Sequence, residues 1–129
     1  MTAGTLRYSK RVLDLFRRLP GTAALPAGEG TVVAGEALAL ERGAWVRFEA
    51  RIAGGRVADC VFQAWGCPHT LAAAAWTVQE LRSHPVAGRE SIDAVRLARE
   101  LEVPAEKMGR MLVVEDALEA LLMHARAVQ

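Results

Sequence analysis

Apolar side chains at Leu6, Val12, Leu13, Leu15 and Phe16 predict an amphipathic helix over residues 5–19, closed by Pro20-Gly21. Residues 22–30 carry two glycines and a proline and read as a loop. The period then changes. Residues 31–40 are rich in Val, Ala and Leu and read as a strand. Across residues 44–52, Trp45, Arg47, Glu49 and Arg51 alternate with Val46, Phe48, Ala50 and Ile52, the pattern of a half-buried strand. Residues 57–65 give a third strand, with Gly54-Gly55 as the hairpin turn before it. Helical patterning takes over after that. A helix over residues 68–84 opens with Pro68 at its first position, which makes Cys67 its N-cap. The small side chains of residues 72–75 suit close approach to another backbone. Residues 85–88 break the pattern. A helix over 91–101 follows, with Ser91 as cap and Ile92, Val95, Leu97 and Ala98 apolar. Val103-Pro104 breaks again, and residues 105–128 read as a last helix with a kink near Gly109. Strands followed by helices predict an α+β fold: a small antiparallel sheet of about three strands packed against helices.

Composition narrows the function classes. At 129 residues one domain spanning 1–129 is expected, with 52% apolar and 24% charged residues as in ordinary globular chains. The net charge of +1 gives no general case for nucleic-acid binding. Arg7, Lys10, Arg11, Arg17 and Arg18 cluster early against Asp14 alone, which fits a solvated helix face. Apolar runs fall short of the eighteen or so residues of a membrane span, and no signal-peptide pattern opens the chain, so no membrane role is expected and the cytoplasm is the default location. The chain shows no glycine-rich phosphate loop, no G-x-S-x-G, no H-E-x-x-H and no CxxC, so a hydrolase or NTPase of those types is not expected.

Cys67 is the residue with the clearest chemistry. A thiol at a helix N-terminus faces unpaired backbone N–H groups and the positive end of the helix dipole, which lowers its pKa. It becomes a candidate metal ligand or nucleophile. Cys60, seven residues earlier inside a strand, reads as a small core residue too far away to form a disulfide. His69 is a possible auxiliary ligand, although side chains two apart on a helix diverge. His84 suits a helix C-terminus, and His124 a solvated face of the last helix. Trp45, Trp65 and Trp76 read as packing residues.

The order of motifs resembles one family, the U-type iron–sulfur cluster scaffolds of the IscU and NifU N-terminal-domain type. Tyr8-Ser9-Lys10-Arg11-Val12-Leu13-Asp14-Leu15-Phe16 is similar to that family's opening segment. The stretch from Val57 through Asp59, Phe62 and Gly66 to Cys67 resembles its strand and turn before the middle cysteine. Val103-Pro104-Ala105-Glu106-Lys107 stands where the family has Leu-Pro-Pro-x-Lys, and Val114-Glu115-Asp116-Ala117-Leu118 matches its Ala-Glu-Asp-Ala-Ile. The resemblance covers most of the chain. It implies the IscU-like fold, a non-enzymatic scaffold role, and partners drawn from a cysteine desulfurase, other scaffold subunits or a DnaK-like chaperone.

The ligand positions depart from the pattern. The resemblance implies three cysteines with a nearby Asp or His. In this register Arg42 stands for the first cysteine, Ala44 for the aspartate, Cys67 for the middle cysteine, Gly109 for the histidine and Arg110 for the third cysteine. Clusters are held by thiolates, and a guanidinium offers no lone pair. The expectation is therefore no cofactor in the isolated protein, with an iron–sulfur cluster or iron only where a partner supplies ligands. Arg42 and Arg110 beside Cys67 would make an anion site or favour a reactive, sulfur-carrying thiol. The alternative is a relic whose arginines pair with Glu41, Glu106 or Glu115. A third reading is a cluster-free interaction or regulatory module. The chaperone-recognition segment keeps Val103, Pro104 and Lys107 but is weakened by Ala105 and Glu106.

Overall fold

A computed structural model describes residues 8–19, 21–82, 84–87 and 92–128. The element order is α1 (Lys10–Arg18), β1 (Thr31–Ala39), a 3-10 turn (Leu40–Arg42), β2 (Ala44–Ala53), β3 (Arg56–Trp65), α2 (Pro68–Leu81), α3 (Ala94–Leu101), a second 3-10 turn (Ala105–Lys107) and α4 (Met108–Val128). The three strands form one antiparallel sheet in the order β1-β2-β3, and helices cover one face of it. The expected α+β class and strand count are what the structure has.

Strand alternation sets the layers. Ala44, Val46, Phe48, Ala50 and Ile52 of β2 are buried, while Trp45, Arg47, Glu49 and Arg51 point to the other face. The hairpin between β2 and β3 turns on Gly54 and Gly55, both with positive φ (59° and 72°), as a two-residue turn of this hand requires. At the far end of the sheet, Leu38, Trp45 and Trp65 stand opposite one another in register on the outer face.

α2 is the central helix. Ala72, Ala73, Ala74 and Ala75 are fully buried, as are Thr77 and Val78, so its small residues let both the sheet and other helices come close. Ser9 caps α1 by accepting from the Val12 N–H (3.2 Å), and its hydroxyl donates to the Leu101 carbonyl (2.7 Å), tying α1 to the end of α3. α4 lies across β1 and β2. Gly35 in β1 makes that possible: a β-carbon there would run into the α4 backbone, 2.7 Å from the carbonyl carbon of Ala120.

Several element ends differ from the sequence expectations. α1 begins at Lys10, and the expected first turn from Thr5 lies outside the described residues. α2 stops at Leu81, before His84, whose Nδ1 lies 3.1 Å from the Arg82 carbonyl in the loop beyond. The cap of α3 is Asp93, which accepts from the Arg96 N–H at 2.8 Å; Ser91 lies outside the described residues. The break before α4 falls where the 3-10 turn at Ala105–Lys107 hands over to an α-helix running unbroken from Met108. Among the described residues no helix is both long and apolar enough to cross a membrane.

Candidate functional site

The candidate residues lie at the sheet end where β2 begins and β3 ends. Ala44 opens β2 and is fully buried, and its neighbour Trp45 pairs with Trp65, two residues before Cys67. Arg42 closes the 3-10 turn just ahead of Ala44. Gly109 and Arg110 sit in the first turn of α4. One contact joins the 3-10 turn to the start of α4: the exposed Arg42 guanidinium lies over Gly109, where a β-carbon would overlap its Nη1 and stand 3.0 Å from Nε.

Cys67 is the N-cap of α2, with extended backbone (φ −76°, ψ 167°) and Pro68 following at the first helical position. Gly66 turns the chain into it with φ 151°, and its missing β-carbon leaves room for Thr70, which would otherwise be met at 3.1 Å. The thiol is half-buried, and Sγ lies 3.8 Å from Thr70 Oγ1. Burial alone would raise its pKa. The His69 side chain, the N–H and hydroxyl of Thr70 and the His69 N–H outweigh that and lower it from 9.0 to about 6. The shift belongs to α2's own first turn, with no arginine among its causes. Cys60, buried in β3, goes the other way: burial pushes its thiol up to about 12.

His69 is more deeply placed than its sequence position suggested. It is fully buried, the Tyr8 ring packs on it at 4.8 Å between centroids, and neither ring nitrogen has a hydrogen-bond partner among the described residues. It favours the thiolate as a near neighbour without completing an aligned hydrogen bond to sulfur. The spacing rule for helix faces missed this neighbour relation because Cys67 is a cap residue with extended dihedrals, not a helical one.

Arg42 and Arg110 have no carboxylate partner within ion-pair distance among the described residues, whereas Arg11, Arg17, Arg47, Arg82 and Arg96 each have one. Arg110 Nε is buried without a partner. Glu115, one of the carboxylates suggested for them, instead accepts the Ala94 N–H at 2.7 Å and serves the start of α3. In the segment before α4, the Val103 N–H bonds to the Ala98 carbonyl and that of Lys107 to the Pro104 carbonyl, and Val103, Pro104 and Lys107 are all half-buried.

The model of the NifU-like N terminal domain matches residues 7–127. The chain belongs to that family. Among its relatives, it is 26% identical over 123 residues to the mitochondrial iron sulfur cluster assembly protein 1 of Schizosaccharomyces pombe, covering 95% of this chain and 64% of that longer protein. It is 24% identical over 116 residues to the iron-sulfur cluster assembly scaffold protein IscU of Azotobacter vinelandii, covering 89% and 91%. Solved structures share the fold at low identity. A candidate scaffold of the SUF system from Fervidobacterium islandicum AW-1 superposes with a TM-score of 0.70 at 15% identity, covering 93% of this chain and 99% of that one. The NifU-like N-terminal protein of Brucella abortus gives 0.66 at 15%, covering 94% and 95%.

Among the described residues no three His, Cys, Asp or Glu side chains come together as a metal-binding group. Arg42, Ala44, Gly109 and Arg110 have side chains that offer no donor atom to iron, and Cys67 is the thiol among the residues singled out in the sequence.

Proposed function

We propose that this protein is a diverged iron–sulfur cluster assembly scaffold-family member that works in assembly without holding a cluster on its own side chains. One observation supports the reading: of the positions that the resemblance aligns with the family's ligands, Cys67 alone carries a donor atom. Two guanidiniums placed where thiolates would stand leave the register without donors there and with two fixed positive charges. The cluster is cargo that this chain helps others to build, with a cysteine desulfurase or another scaffold subunit as the partner that contributes the missing groups. The role is non-enzymatic, and the weakened segment around Val103, Pro104 and Lys107 makes a DnaK-like chaperone the less favoured partner.

A second reading is supported by the surroundings of Cys67. A half-buried thiol lowered to about 6 is a thiolate at neutral pH, suited to receive sulfur. In that reaction the thiolate attacks the outer sulfur of a desulfurase persulfide. A new S–S bond forms on Cys67, the donor's S–S bond breaks, and the donor thiolate leaves. Anaerobic incubation with iron, cysteine and a desulfurase separates the readings, followed by absorption spectroscopy and intact mass. The expected result is no cluster spectrum on this chain alone; added mass of one sulfur, lost in Cys67→Ser, supports the carrier. A stoichiometric cluster that stays on this chain after the desulfurase is removed overturns the proposal.

A further inference from the structure

His69 is a fully buried imidazole in the first turn of α2, and neither Nδ1 nor Nε2 has a hydrogen-bond partner among the described residues. The Tyr8 ring holds it in place, tilted by 47° with the centroids 4.8 Å apart. A polar ring sealed off in this way costs free energy, which a partner bound beside it would recover. The neighbouring acceptor is the Cys67 sulfur. The His69 side chain lies near enough to favour the thiolate, yet makes no aligned hydrogen bond to it. Other donors face the same sulfur: the Thr70 hydroxyl, 3.8 Å from Sγ, and the N–H groups of His69 and Thr70. We propose that His69 binds sulfane sulfur: its ring N–H donates a hydrogen bond to the outer sulfur of a persulfide carried on Cys67. The inference rests on the carrier reading of Cys67 given above and names the side chain that retains the cargo. It uses residues of β3's end and α2 alone, with Tyr8 as the wall behind the ring.

Inorganic polysulfide loads the thiol without a protein donor. The Cys67 thiolate attacks a terminal sulfur, an S–S bond forms on Cys67 and one breaks in the polysulfide, and the bonding pair leaves with the shortened polysulfide dianion. After anaerobic desalting, cyanide-reactive sulfur and intact mass are followed over time in wild type, C67S, H69F and H69Q. H69F keeps an aromatic ring against Tyr8 and removes both nitrogens; H69Q restores an N–H donor. Wild type is expected to hold one sulfur per chain that C67S lacks. H69F is expected to lose its sulfur about 10-fold faster, the effect of one hydrogen bond to a charged acceptor. H69Q should lie closer to wild type than H69F does. A readout on the unaltered chain accompanies the variants: with isotope-labelled histidine, the ring nitrogen resonances of His69 should shift on loading while those of His84 and His124 stay. Loss from H69F at the wild-type rate, or His69 resonances unmoved by loading, overturns the role of His69 and leaves the carrier standing. Wild type that takes up no Cys67-dependent sulfur overturns the carrier reading and this inference with it.

Discussion

Cys67 and Cys60 share a side chain and differ in what the backbone does around them. Cys67 opens a helix after the Gly66 turn, and the first turn of α2 stabilises its thiolate; Cys60 is sealed inside β3 next to nothing that favours charge strongly enough to offset burial. A pKa of about 6 makes Cys67 roughly nine-tenths thiolate at pH 7, against roughly one-hundredth at the ordinary 9.0. Alkylation of the native protein should therefore label Cys67 alone, with a rate that is half-maximal near pH 6, and Cys60 should react only after unfolding. A half-maximal rate near pH 9 would remove the activated thiol. The position of Cys67 was legible in Gly66-Cys67-Pro68, because proline at the first helical position fixes what precedes it. The surroundings were not. Tyr8 reaches His69 across 61 positions of sequence, and no local pattern encodes that contact.

At the level of elements, the clearance between α4 and β1 depends on Gly35. G35A puts a methyl group into the α4 backbone, which cannot move aside as a flexible side chain would, and should lower stability by about 1–3 kcal/mol in a denaturant titration. A neutral result would mean that α4 packs elsewhere. Glu115 offers a second check. Its carboxylate accepts the Ala94 N–H at the start of α3, so Glu115→Ala should destabilise by about 1–2 kcal/mol while leaving the pH profile of Cys67 alkylation unchanged. A shifted profile would instead tie Glu115 to the thiol's site. Strand alternation in residues 44–52 and the Gly54-Gly55 turn were readable because a sheet with one buried face writes its period of two into the chain. Helix ends were harder. Asp93 caps α3 where Ser91 was expected, and the break before α4 is a 3-10 turn at Ala105–Lys107.

For the molecule as a whole, the two thiols bend stability against pH in opposite ways. Cys67 has a folded pKa below its unfolded one, so its contribution is present above pH 9 and is lost as pH falls towards 6. Cys60 has a folded pKa above its unfolded one, so its contribution is present below pH 9 and is lost as pH rises towards 12. Cys67→Ser should flatten the stability profile between pH 6 and 9, and Cys60→Ala the profile above pH 9, each followed by denaturant titration. Equal profiles for wild type and both variants would contradict the assignment. The family was legible in the sequence because its segments keep their order along most of the chain, and residues 7–127 match its model. Arg42, Ala44, Gly109 and Arg110 stood in the sequence as separate positions of interest. That Arg42 lies over Gly109 became visible only when the fold brought β1's end and α4's start together.

The central claim is that this scaffold-family chain does not hold a cluster with its own side chains. Anaerobic reconstitution with ferrous iron and sulfide, desalting, and measurement of iron and sulfide per chain address it most directly. Wild type should retain no more of either than Cys67→Ser and show no cluster absorption. A stoichiometric cluster that survives desalting in wild type and is lost in Cys67→Ser would contradict the account.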